Sequence, residues 1–145
     1  VVILSLLALA TASAAPFADQ VHRTSVEHQG RSLDVTYRAD AKVSTRQIGM
    51  SAGTRPTTER CLWAARVAVV RDVAGTKGAS LSHRLDADQM IRGSHFGKCS
   101  ENRAQVASLI ARRSDEVKAH LAEVAREDAP QLANVISSAK HFAAN

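Results

Sequence analysis

The 145 residues carry 19 Lys and Arg against 14 Asp and Glu, a formal charge of +5, and 45% are hydrophobic, enough for a folded core rather than a disordered polyelectrolyte. Aromatic residues make up only 3%, and the basic residues are spread from Arg23 to Lys140 among Asp and Glu. Neither a base-stacking platform nor a basic arm for nucleic acid is expected, although the charge predicts attraction to anionic surfaces in general.

Val1 to Ala10 is an uncharged, almost wholly apolar run, followed by Ala12-Ser13-Ala14, the small-x-small pattern that signal peptidases cut. Ten helical residues rise about 15 Å, half of a hydrocarbon core of about 30 Å, which suits an export signal better than an anchor. Cleavage after Ala14 is expected, because cutting one residue later would leave Pro16 just past the bond. Residues 1–14 are thus read as a signal peptide and 15–145 as one α+β domain, periplasmic or secreted, with no stable membrane span after cleavage.

From Gln20 to Ile48 the pattern favours extended chain. Val21–His28 and Arg31–Ala39 flank Gln29-Gly30, a two-residue hairpin turn. In the second arm Leu33, Val35, Tyr37 and Ala39 alternate with Asp34, Thr36, Arg38 and Asp40, the signature of a half-buried strand. A third extended piece is expected over Lys42–Met50, then a loop over Gly49–Thr58. Arg60–Val73 reads as strand or helix by periodicity, and valine at 67, 69, 70 and 73 favours strand. Residues 75–97, with four glycines and little periodicity, predict a long connection holding a short extended piece near Leu81–Leu85.

After Cys99 the apolar residues Val106, Leu109, Ile110, Val117, Leu121 and Val124 recur at helical spacing, with Ser100 placed to cap the first turn. Arg113 falls inside this stripe, its stem on the core edge or its guanidinium paired with Glu116. Pro130 predicts a break, with Asp128 capping a second helix whose face is Leu132, Val135, Ile136 and Ala139. The expected fold is α+β: a three- or four-stranded antiparallel sheet, a long C-terminal helix and a shorter terminal helix.

Cys61 and Cys99 are the only cysteines. In an oxidising compartment they are expected to form a disulfide closing a loop of 38 residues. Their separation is far from the two-residue spacing of a thioredoxin-like site. A metal-handling alternative would combine His95 with Cys99 and Cys61, but a fourth good ligand is hard to find. The histidines His22, His28, His83, His95, His120 and His141 form no helical ligand pair, and surface positions are expected for His22 and His28.

A small hydrolase would draw on the 83–95 loop, with Ser94 or His95 beside Asp86 or Asp88, and needs those groups to converge. No nucleophile elbow or phosphate loop is present, and no cofactor is expected. The leading reading is a small non-enzymatic protein that binds an anionic envelope component or a protein partner through a basic surface, with the hydrolase and metal-handling readings as alternatives.

Overall fold

The computed structural model describes residues 14–75 and 78–139. The apolar run Val1–Ala10, His141 and Phe142 lie outside the described residues. The order of elements is β1 (Val21–His28), β2 (Arg31–Ile48), β3 (Arg60–Ala74), β4 (Ser80–Phe96), α1 (Arg103–Ala111) and α2 (Ser114–Ser138). The strands form one antiparallel sheet in the order β1-β2-β3-β4, with both helices after it, so the α+β expectation holds.

The hairpin turn forms where expected. Gln29 and Gly30 have φ of 50° and 74°, the paired positive values of a type I′ turn, whose twist matches that of the flanking strands. Register then follows, with His28 opposite Arg31 and Val21 opposite Arg38. The two pieces expected over Arg31–Ala39 and Lys42–Met50 are one strand of 18 residues, because β3 pairs with β2 from Val35↔Val73 to Ile48↔Arg60 without a break. β1 covers only the first part of its other edge. Arg60–Ala74 is a strand, as its valines indicate.

Residues 75–97 depart most from expectation. Most of this stretch is β4, 17 residues paired with β3 from Arg60↔Phe96 to Ala74↔Ser80. Its inward positions include Gln89, Gly93 and His95, which dilute the apolar alternation, and a bulge sets residues 86–88 opposite Ala68. Gly93 meets a packing demand of its own. A Cβ there would lie 2.2 Å from Trp63 Cζ2, so only the bare backbone lets the indole cross β4.

The helices also divide differently. The shorter one comes first: α1 has nine residues, and the break falls at Arg112-Arg113 rather than near Pro130. α2 then runs for 25 residues through Pro130, whose missing N–H costs one helical bond. Leu132 and Ile136, just beyond the proline, are 3% and 0% exposed, and their burial holds the last turns on the core. Asn102, not Ser100, stands at the N-cap of α1, and its amide donates to the Lys98 carbonyl at 2.8 Å without capping the helix. Asp128 is not a cap either. It lies inside α2 and accepts bonds from Arg71 Nη1 and the Tyr37 hydroxyl. Arg113 does pair with Glu116.

The odd-numbered residues of β2 and β3, with Ile91 of β4, face the helices. Val35, Tyr37, Val67, Val69 and Val73 are fully buried there against Val117, Leu121, Val124 and Ile136. α2 packs mainly on β1 and β2, while α1 lies nearer β4. His120 ties α2 to the β4 bulge, its Nε2 lying 2.7 Å from the Ala87 carbonyl oxygen, a contact that requires the Nε2–H form. His22 and His28 share a face as the strand period requires. That face is the helix-covered one, so both are half-buried instead of lying on the surface. The Cys61–Cys99 disulfide joins the start of β3 to the segment before α1.

Candidate functional site on the bare face of the sheet

The helices cover one face of the sheet and leave the other open. Because side chains alternate along a strand, the even-numbered residues of β2, β3 and β4 all point to the open face. The register stacks them in rows. From the loop end of the sheet these are Ile48/Arg60/Phe96, Arg46/Leu62/Ser94, Ser44/Ala64/Arg92 and Lys42/Arg66/Met90.

These four rows hold five cations and no carboxylate. Lys42, Arg46, Arg60 and Arg92 make no ion pair among the described residues, and only Arg66 reaches a carboxylate, Asp88, at 2.6 Å. Leu62 and Ala64 form a low, half-buried floor, with Arg46 and Ser44 on one side and Arg92 and Ser94 on the other. Strands lie about 4.8 Å apart, so the two guanidinium groups can bend over this floor toward one anion with the serine hydroxyls beside them. Planar guanidinium forks suit a phosphate, sulfate or carboxylate.

In the other half of the open face, cations and carboxylates stand side by side. Arg38 pairs with Asp72 at 2.7 Å, and Arg84 lies 3.3 Å from Asp88 and 4.0 Å from Asp40. The hydrogen bond from Arg66, outweighing partial burial, holds the Asp88 carboxyl below the usual carboxylate range, with Arg84 adding to it. At Asp72 burial pushes upward, but the bonds from Ser82 and Arg38 prevail and the net direction is again down. Asp72 and Asp88 are therefore engaged by neighbouring arginines, whereas the four loop-end rows hold cations with no carboxylate among them.

The other readings find no assembled site. Ser94 and His95, being adjacent on β4, point to opposite faces, Ser94 outward and His95 toward the helices. Asp88 is held by arginines, and Asp86 is exposed in the bulge. The 83–95 segment is a strand rather than the expected loop. Both cysteines are in the disulfide, which removes the thiolates needed beside His95 for a metal, and no metal-binding group of three or more His, Cys, Asp or Glu occurs among the described residues. A groove of about 680 Å³ between α1 and the unpaired part of β2, lined by Phe17, Val43, Val106 and Ile110, is mainly apolar and brings no reactive groups together.

Lys42, Arg46, Arg60 and Arg92 were not legible as a group, because they belong to three strands and meet only through register. The available signal was the even spacing of Lys42, Ser44 and Arg46 within a strand. No described helix is long and apolar enough to cross a membrane. Comparison with protein-family models, curated proteins and solved structures finds no match to this chain.

Proposed function

We propose that this chain is an exported, non-enzymatic binding protein of the periplasm or exterior, and that the loop-end half of its open sheet face is the contact surface for an anionic envelope component or protein. One observation carries the reading: four cations without acidic partners among the described residues, Lys42, Arg46, Arg60 and Arg92, stand in consecutive rows that contain no carboxylate. Ion-paired cations would gain little from a new anion, whereas unpaired ones gain a partner without losing one.

The disulfide suits an oxidising compartment and so supports export. The opposite orientations of Ser94 and His95 support a binding role over hydrolysis. The scarcity of aromatic side chains on the chain favours a surface anion over single-stranded nucleic acid. Pull-down from envelope extract tests the proposal. Capture at low ionic strength that disappears in high salt is the expected result, and capture indifferent to salt contradicts it.

A further inference from the structure

The cationic face also carries apolar side chains that a purely polar polyanion would leave in water. Ile48 and Phe96 flank Arg60 in the outermost row and are 38% and 58% exposed, while Met50, two residues beyond Ile48, is 74% exposed. Met90, at 46%, lies three rows back beside Arg66. Exposed large apolar residues scattered singly are ordinary. Here three of them gather at one end of the sheet, next to its unpaired arginines.

We infer that this end of the sheet docks on an anionic phospholipid surface, with Ile48, Met50 and Phe96 entering the headgroup layer and Arg46, Arg60 and Arg92 engaging lipid phosphates. The inference rests on the cationic face being the contact surface proposed above and names its partner. The dimensions agree. Two residues of strand span about 7 Å, which separates Ile48 from Arg46 by the depth that interfacial apolar groups reach, about 5–10 Å. When the apolar tip lies at the acyl boundary, Arg46, one row behind it, stands at phosphate level, while Arg60, in the tip's own row, and Arg92, one row behind Arg46, reach that level along their flexible stems. Attraction to an anionic leaflet falls off within a Debye length of about 8 Å, and the clustered rows bring several cations within it together. A sulfated polysaccharide would reward the arginines alone; a lipid surface rewards both sets.

The test compares partition onto vesicles of phosphatidylcholine, with and without phosphatidylglycerol, against retention on immobilised heparin. Wild type is expected to bind only the vesicles that contain phosphatidylglycerol. Arg46→Ser and Arg92→Ser should each lower that partition about fivefold and also weaken heparin retention. Phe96→Ser should lower vesicle partition about tenfold and leave heparin retention unchanged. A Phe96→Trp protein should be quenched by lipids brominated on their acyl chains; Trp63, the only other tryptophan, is buried in the core. Heparin retention that depends on the arginines, without vesicle partition or quenching, would overturn the lipid assignment while leaving the cationic contact surface standing. Heparin retention and vesicle partition that both ignore Arg46 and Arg92 would overturn the two together.

Discussion

Arg71 of β3 and Asp128 of α2 meet in the core, Nη1 to Oδ2 at 2.6 Å, with side chains only 2% and 9% exposed. The same carboxylate accepts the Tyr37 hydroxyl at 2.8 Å, so one acidic group joins β2, β3 and the long helix. Withdrawing two charges from water is costly, and their mutual attraction about offsets that cost, so the arrangement specifies a geometry more than it adds stability. It explains why Asp128 does not cap a helix.

Removing one partner should therefore do more harm than removing both. Arg71→Met alone strands a buried carboxylate and is expected to cost about 3–5 kcal/mol in urea unfolding. The combined variant Arg71→Met, Asp128→Leu and Tyr37→Phe should recover most of that loss. If Arg71→Met costs nothing, the buried pair is not formed in solution.

Tyr37 is the only tyrosine, so its titration can be followed without interference. Burial, then the bond to Asp128 and that group's negative charge, push its phenol well above the ordinary value near 10. A group with a raised folded pKa contributes its full share of stability below the unfolded value and loses it as pH rises toward the folded one. Stability should consequently decline above about pH 10, with phenolate absorbance rising only as the chain unfolds. Tyr37→Phe should remove this alkaline loss. Phenolate appearing near pH 10 in the folded protein would contradict the burial.

Gly93→Ala places a methyl group where the Trp63 ring lies. The indole must shift, at an expected cost of about 1–3 kcal/mol, with a change in tryptophan emission because Trp63 is the sole source. Unchanged emission and stability would show that the ring does not cross β4 as described.

Cys61 and Cys99 close a loop of 38 residues, and the chain-entropy model assigns such a closure about 4 kcal/mol. The Cys61→Ser, Cys99→Ser variant should lose about that much in urea unfolding, and reductant should bring wild type to the same midpoint. A reductant that leaves wild-type stability untouched would mean that the bond is absent or idle.

What was legible in the chain follows the range of the forces involved. Gln29-Gly30 marked its turn because positive φ is a local demand, and the valines of β3 marked a strand because β-branching is local too. The disulfide was a matter of two cysteines and a compartment. β4 was hidden because pairing with β3, not its own alternation, keeps Gln89, Gly93 and His95 in a strand. Pro130 misled because burial of Leu132 and Ile136 outweighs one lost helical bond, and the partnership of Arg71 with Asp128 spans 57 residues. The cationic rows depend on register across three strands, which no spacing along the chain displays.

The proposed contact depends on position on the open face, not on total charge. Two double variants of equal net charge separate these: Arg46→Ser with Arg92→Ser on the bare face, and Arg112→Ser with Lys118→Ser at exposed positions of the helical layer. The measurement is the salt concentration that releases each protein from the anionic envelope fraction. The bare-face pair should release at markedly lower salt than wild type, and the helical pair close to wild type. Equal release of the two variants would contradict the account.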